Sequence, residues 1–410
     1  MLTEWIALGT VPVNPLTSQR EGEWNVVDAQ TLIKQAVALG GAPARGDSYR
    51  PGLDRFLEDF NASATLTGAG REAAHGWVVS TLAARFAIEN WAAAHAQLLD
   101  APVERPVFIV GLPRAGTTTL LNLLALDAQH RVYWNWEANR EVPPVESAHL
   151  HDDPRIARKV SEVNAALACG ALDERMHVEM GDEPGECVWL MAQDFKSYAW
   201  LVLTAAPNYF EWLYTEADML AAYRYHRRAL QVMQSRAGGQ WLLKYPSHAC
   251  FLDALLAVYP DARIVVTHRD PARPLGSSCD ASHHITAQFN VGLDRSYVGH
   301  ETLRVIERTL EQVSTLREAH PGTEVHDMHY RSFAADPIKE IKRLYEFLGQ
   351  DLPDTVERNM RNQLTAQAAR RSKVGPHHYH LADYGLSPER LPRIFADYVE
   401  QFGIERESAA

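Results

Sequence analysis

One stretch of the chain constrains its fold more than any other, the apolar run PVFIVGL at 106–112. A wholly apolar run of this length, rich in β-branched residues, is typical of a strand buried on both faces of a parallel sheet. Similar runs follow at 240–244 (QWLLK) and 262–269 (ARIVVTHR), and a weaker one lies at 323–330 (TEVHDMHY). Helical patterns such as ACFLDALLAVY separate them. The alternation predicts an α/β fold, a parallel sheet flanked by helices.

The same patterns divide the 410 residues into three predicted parts. Residues 1–102 contain Ala- and Leu-rich stretches with helical spacing, which predict a helical N-terminal region. Residues 103–350 hold all the strand patterns and form the predicted core. Residues 351–410 are predicted to form a C-terminal cap. With 46% hydrophobic residues, a chain of this length can bury one large core with such additions.

The first predicted strand runs into a loop that is suited to binding an anion. Gly111 and Gly116 bracket this loop, and Arg114 lies within it. Three threonines then open a helix: Thr117, Thr118 and Thr119. Unpaired backbone N–H groups and the helix dipole attract a phosphate group to such a helix start. The common P-loop motif of proteins that bind nucleoside triphosphates, GxxxxGK[ST], has a Lys directly after its second glycine. Thr117 stands there instead, so the loop is P-loop-like with a different cation.

A second basic residue closes another predicted strand. Arg269 ends the run ARIVVTHR, and Ser277 follows eight residues later. Asp270 and Pro271 are typical of a helix start, which brings Ser277 near the same side as Arg269. Ligands of open α/β sheets bind beyond the carboxyl ends of the strands. The Arg and the Ser therefore suit a second phosphate, as in a nucleotide phosphorylated on both the 5′ and 3′ positions of its ribose.

These segments resemble the superfamily of sulfotransferases that use 3′-phosphoadenosine-5′-phosphosulfate (PAPS). FIVGLPRAGTTTL resembles its 5′-phosphosulfate loop, in the Arg form of tyrosylprotein and many bacterial sulfotransferases. HRDPARPLGSS resembles its 3′-phosphate motif, WLLKYPSH its lysine strand, and YRSFAADPIKEIKRLYEFLG its Tyr-containing segment. The resemblance, to a bacterial branch, implies an enzyme. It implies transfer of a sulfuryl group from PAPS to a hydroxyl or amine of a small-molecule acceptor.

The resemblance also implies roles for single residues. It assigns donor binding to eight of them: Arg114, Gly116, Thr117, Thr118, Thr119, Arg269, Ser277 and Tyr330. Lys244 matches the family's lysine and, with Arg114, is predicted to stabilise charge on the leaving phosphate. The chain departs from the cytosolic enzymes at Thr119, where they carry a Trp, and it has no RKGxxGDW segment. Three residues are candidates to close the 3′-phosphate pocket instead: Arg370, Arg371 and Lys373.

Two residues compete as the base that takes the acceptor's proton. Glu137, in YWNWEANREVPP, lies near the place where the tyrosylprotein enzymes carry a catalytic Glu. His248 lies four residues after Lys244, whereas the cytosolic enzymes have their catalytic His two residues after the Lys. A positioned base accelerates attack by a hydroxyl. We predict Glu137 as the base and keep His248 as the alternative.

Two histidine clusters invite a metal interpretation, His283-His284 and His377-His378-x-His380. No Cys or carboxylate stands beside them at a familiar ligand spacing, so we predict no metal. Two other functions stay open. A P-loop kinase using ATP and Mg²⁺ would need the loop Lys and a Walker-type Asp. A nucleotide-binding protein without catalysis would make Glu137 and Lys244 incidental.

Composition excludes some partners. A net charge of −12 argues against wide contact with nucleic acid. The most apolar stretch, 197–214, is interrupted by polar residues and falls short of the roughly 18 residues of a membrane span. Four scattered cysteines and an N-terminus unlike a signal peptide predict a cytoplasmic protein. The aromatic residues of 189–212 predict core packing first and the wall of an apolar acceptor pocket second. The sequence identifies neither the acceptor nor the oligomeric state.

Overall fold

The computed structural model describes residues 26–170, 172, 179–371 and 379–407 of the chain. Five strands form one sheet at its centre: β1 (Val107–Gly111), β2 (His130–Val132), β3 (Gln240–Lys244), β4 (Arg263–His268) and β5 (Glu324–His329). Every neighbouring pair is parallel, in the order β2-β3-β1-β4-β5. The carboxyl ends of β3, β1 and β4 therefore lie side by side at one edge of the sheet.

Helices precede, separate and follow the strands. Before β1 lie α1 (Ala29–Gly40), α2 (Arg50–Ala62) and α3 (Gly68–Ala94). Between β1 and β4 lie α4 (Thr117–Leu124), α5 (Pro154–Ala168), α6 (Val188–Gln193), α7 (Pro207–Thr215), α8 (Met219–Gln234) and α9 (Leu252–Val258). The remaining helices are α10 (Ala272–Thr286), α11 (Arg295–Ala319), α12 (Tyr330–Ala335), α13 (Pro337–Leu348), α14 (Asp354–Arg371), α15 (Leu391–Ile394) and α16 (Ala396–Gln401).

Strand β1 shows why the sheet needs helices on both faces. All five of its residues are buried. Because successive side chains point to opposite faces, Phe108 and Val110 join one apolar cluster while Val107 and Ile109 join another. Helices cover both clusters, so each face is shielded from water. The predicted α/β fold with a parallel sheet flanked by helices is confirmed.

The helices before the sheet and the segment after it pack against the same central layer. Leu82 and Phe86 of α3 are fully buried in the cluster that also holds Phe108. At the other end of the chain, the Tyr398 hydroxyl of α16 lies 2.7 Å from Nδ1 of His268 in β4. The boundaries proposed at 102 and 350 remain a prediction.

Strand β2 was not predicted, because two of its three residues are ionisable and carry no apolar pattern. Arg131 is nevertheless fully buried, since it pairs with Glu137 and lies over the Trp241 ring at 4.8 Å.

The aromatic residues of 189–212 were predicted first of all to pack in the core. Trp200 and Tyr209 are indeed fully buried there. Across the described ranges, none of the helices has both the length and the apolar character needed to cross a membrane.

Candidate functional site

The loop between β1 and α4 is held tightly by backbone geometry. Gly111 has a φ of 121°, and a Cβ there would lie 2.5 Å from the carbonyl oxygen of Thr267 in β4. Gly116 has a φ of 86° immediately before α4 begins. Arg114 also lies in the left-handed region, with a φ of 59°. Such a conformation is uncommon outside glycine and clusters at ligand-binding sites. The N-terminus of α4 thus follows a tight, glycine-bounded turn, as an anion site requires.

Lys244 brings the end of β3 to this loop. Its Nζ donates a hydrogen bond to Oγ1 of Thr118 at 3.1 Å, and its side chain is fully buried. The two residues are 126 positions apart in the chain. The contact exists because β3 pairs with β1 in parallel register, which sets their carboxyl ends side by side. Two residues that the resemblance assigned to the sulfuryl end of the donor are therefore in contact.

Arg269 brings the end of β4 to the other side of the same loop. Its Nη1 donates a hydrogen bond to the carbonyl oxygen of Arg114 at 2.6 Å. Its guanidinium lies over the Tyr330 ring, 4.0 Å from the ring centroid. A Cβ on Gly116 would approach Cδ2 of that ring to 3.2 Å, so Tyr330 packs directly against the loop. The structure thus joins Arg114, Gly116, Arg269 and Tyr330 into one cluster.

Arg269 also binds a carboxylate that sequence analysis did not single out. Its Nε and Nη2 donate to the two oxygens of Glu407 at 2.7 and 2.8 Å. Arg273 of α10 adds a second cation, 3.6 Å from the same carboxylate. The hydrogen bond from Arg269 is the main reason that the pKa of Glu407 is lowered. Ser277 lies four residues after Arg273 on α10, and so on the same face of that helix.

Two more unpredicted carboxylates meet Lys244. Glu186 Oε1 accepts a short hydrogen bond from Nζ, and Glu179 Oε1 accepts one at 3.3 Å. Burial acts to lower the pKa of Lys244, but these two carboxylates outweigh burial and hold the pKa above its ordinary value. The hydrogen bond from the Cys187 backbone N–H to the Lys244 carbonyl, at 2.9 Å, holds the segment that contains Glu186 beside β3. No short sequence motif identifies this segment as part of the site.

Glu137, the predicted base, lies in a different setting. One of its oxygens accepts from Arg131 and the other from the Trp134 backbone N–H at 3.0 Å. The Arg131 and Glu137 side chains are 0% and 2% exposed. Arg131 lies in the outer strand β2, and Glu137 lies in the short helical turn that follows this strand. β3 separates β2 from the loop. Both carboxylate oxygens of Glu137 are thus used within the fold.

His248, the alternative base, is fully buried beside β1, where its ring centroid lies 5.3 Å from that of Phe108. Its Nδ1 lies 2.8 Å from the Tyr223 hydroxyl, while its Nε2 is buried without a hydrogen-bond partner. Burial holds the pKa of His248 well below its ordinary value, so the ring is neutral. His248, His226 and Cys187 each offer one atom that could bind a metal ion, and these three atoms all lie within 4.8 Å of one another. All three residues are buried, so this group of side chains has no contact with solvent.

Other residues named from the sequence lie elsewhere. His283 packs its ring against Tyr384, 6.1 Å between centroids, and His284 follows it on α10. Arg370 and Arg371 end α14, whereas Lys373, His377 and His378 lie outside the described residues. All four cysteines are free thiols.

Comparisons with known proteins agree on one family. The model of a family described as "Sulfotransferase family" matches residues 106–354. Among curated proteins, the omega-hydroxy-beta-dihydromenaquinone-9 sulfotransferase Stf3 of Mycobacterium bovis and that of Mycobacterium tuberculosis are each 27% identical over 256 residues. The match covers 60% of this chain and 62% of each relative's own length.

Solved structures extend the likeness to almost the whole chain. Sulfotransferase STF9 from Mycobacterium avium is 31% identical, with a TM-score of 0.85, over 95% of this chain and 100% of that one. Sulfotransferase STF1 from Mycobacterium tuberculosis is 28% identical, with a TM-score of 0.80, over 92% and 100%. The helices before β1 and the segment after β5 therefore belong to the shared architecture.

Proposed function

Because the chain belongs to the sulfotransferase family, we propose that it transfers a sulfuryl group from PAPS to a hydroxyl of an apolar small molecule. One observation carries this proposal, the convergence of three strand ends on a single anion-binding loop. Lys244 meets the loop from β3, and Arg269 meets it from β4. The comparisons do not favour a kinase, whose loop Lys is also missing here.

The donor's two anionic groups match two cationic regions. Arg114 and the N–H groups at the start of α4, with the hydroxyls of Thr117 to Thr119, bind the 5′-phosphosulfate. Arg269 and Ser277 bind the 3′-phosphate, and the Tyr330 ring positions the Arg269 guanidinium. The chain's net charge of −12 makes these local cations necessary, because the overall field repels an anionic nucleotide.

Charge movement during transfer explains the lysine and the arginine. As the acceptor oxygen forms a bond to sulfur, the bond from sulfur to the bridging phosphate oxygen breaks. Negative charge then collects on that oxygen, which leaves with 3′,5′-adenosine bisphosphate. Lys244 and Arg114 stabilise this charge by hydrogen bonding, and no metal is needed for it. In a buried position, the contribution of Lys244 is larger than in water.

We assign the base to Glu186 in place of Glu137. Lys244 contacts both the loop threonine Thr118 and Glu186, so Glu186 lies next to the region where the sulfuryl group binds. The Glu186 side chain is 17% exposed, compared with 2% for Glu137. A carboxylate that an acceptor can reach takes the hydroxyl proton as the sulfur–oxygen bond forms. His248 has no such access, because it is fully buried.

Aromatic side chains beside Glu186 support an apolar acceptor. Trp189 of α6 lies three residues after Glu186 in the chain and packs against Trp77 of α3, with 5.5 Å between ring centroids. Both indoles are partly buried rather than fully enclosed. Half-buried tryptophans offer a large apolar surface to a ligand. The curated relatives carry the name of an apolar hydroxylated quinone derivative, which is consistent with such a surface.

Transfer of labelled sulfate tests the proposal. Purified protein is incubated with ³⁵S-labelled PAPS and matched alcohols of increasing apolar length, with a sugar of similar size as the control. We expect label on the apolar alcohols and undiminished transfer in EDTA. Transfer of phosphate from ATP without use of PAPS would refute the proposal, and loss of transfer in EDTA with rescue by Mg²⁺ or Zn²⁺ would refute its metal-free chemistry.

A further inference from the structure

Glu407 forms the most complete contact of Arg269. The carboxylate and the guanidinium share two parallel hydrogen bonds of 2.7 and 2.8 Å, which is the bidentate geometry that Arg also uses for phosphate. The side chains are only 18% and 30% exposed. The carboxylate therefore stands on the guanidinium edge that a phosphate ester would use.

The backbone holds Glu407 in this place independently of its side chain. Its backbone N–H donates to Oδ2 of Asp270 at 2.8 Å, and Asp270 directly follows Arg269. Ile404, three residues earlier, is 8% exposed and packs in the main apolar cluster. The segment 404–407 is thus docked on the end of β4, and the carboxylate is presented to Arg269 by that docking.

The charges around Glu407 favour a dianion over a carboxylate. Arg269 and Arg273 both face the single negative charge of Glu407, so one positive charge is left over. A phosphate monoester carries about two negative charges near neutral pH and three acceptor oxygens. It therefore neutralises both arginines, and Ser277 on the same face of α10 can donate to it. A ligand without this dianion gains nothing by displacing Glu407.

We propose that Glu407 occupies the 3′-phosphate position of the donor site and has to leave Arg269 when the donor binds. Glu407 is then a specificity-determining residue. Nucleotides that carry a 3′-phosphate displace it, whereas nucleotides that lack this group leave the Arg269–Glu407 pair in place. This inference rests on the proposed function, which assigns Arg269 to the 3′-phosphate.

Calorimetric titration of the full chain with two nucleotides tests the inference. The probes are 3′,5′-adenosine bisphosphate and adenosine 5′-monophosphate, applied to the wild type, Glu407→Gln and Glu405→Gln. We expect Glu407→Gln to bind the bisphosphate about 3- to 10-fold more tightly, because the competing charge is gone. Binding of the monophosphate should not change.

Glu405→Gln is the matched control, since it removes the same charge two residues away. Glu405 pairs with Arg331 on the surface and is 64% exposed. An equal gain in both variants would indicate a general effect of net charge and would overturn the inference. In an Arg269→Ala background, the effect of Glu407→Gln on bisphosphate affinity should vanish.

The remaining outcomes separate this inference from the proposed function. If the wild type binds the bisphosphate and Arg269→Ala abolishes binding, but Glu407→Gln leaves it unchanged or weaker, the donor site stands and the role of Glu407 is refuted. If neither the wild type nor Glu407→Gln binds the bisphosphate, the donor assignment fails and the inference fails with it. Melting temperatures with and without nucleotide confirm that each variant is folded.

Discussion

Two carboxylate–cation pairs lie at the carboxyl side of neighbouring strands, and their surroundings differ. Arg131 of the outer strand β2 and Glu137 just after this strand are both buried, with side chains 0% and 2% exposed. At the end of β3, Lys244 is equally buried, but Glu186 is 17% exposed and a loop threonine contacts the same Nζ. The first pair has the environment of a structural ion pair, and the second has the access to an acceptor that our proposed base requires. Residue type and spacing cannot distinguish them, whereas access and neighbours can.

The largest expected effect comes from Glu186→Gln. Removing the proposed base while keeping its shape should lower kcat by about 10²–10⁴-fold and leave donor affinity nearly unchanged. Steady-state kinetics with an alcohol acceptor measure this, since a phenol could ionise without help. Glu179→Gln is the matched control because Glu179 contacts the same Nζ. Equal losses in both variants would mean that the carboxylates only position Lys244.

The other half of the contrast is tested by Glu137→Gln. This change leaves the buried Arg131 without its counter-charge, and breaking a buried ion pair costs about 3–5 kcal/mol. We expect the free energy of unfolding in urea to fall by about that amount, while kcat of the folded protein stays within about threefold. A dead enzyme of normal stability would return the role of base to Glu137.

Glu141, a buried carboxylate with no ion pair among the described residues, extends the comparison. Glu141 accepts hydrogen bonds from Tyr133 and Gln193 at 2.8 Å each, and burial raises its pKa from 4.5 to about 7. At a pH between these two values, folding is therefore accompanied by uptake of a proton at Glu141. The contribution of Glu141 to stability thus falls as pH rises from about 4.5 to 7. The loss should be roughly 3 kcal/mol.

Glu141→Gln should remove this dependence on pH. Urea unfolding at pH 5 and pH 8 measures it as the stability difference between variant and wild type, which should shift in favour of the variant at pH 8. The Glu137→Gln variant serves as the comparison, because it removes a buried carboxylate that is paired with a cation. An unchanged difference between pH 5 and pH 8 would show that Glu141 is ionised in the folded protein.

Much of the fold could be predicted because its signals are local. The buried strands β1, β3 and β4 are apolar runs, and the loop before α4 has its glycines and threonines adjacent in the chain. Strand β2 was missed because its burial depends on contacts of Arg131 with Glu137 and with the Trp241 ring. A charged residue can occupy a core strand only when distant parts of the chain neutralise and cover it.

The candidate site divides in the same way. The ends of the apolar strands follow from short patterns, and so Arg114, Lys244 and Arg269 could be placed at strand ends from sequence alone. The partners of these cations could not, since Glu186 is 58 residues from Lys244 and Glu407 is 138 residues from Arg269. Such contacts depend on how separate segments dock on the sheet edge. Docking is governed by packing and charge over the whole molecule, which leaves no trace in any short stretch of sequence.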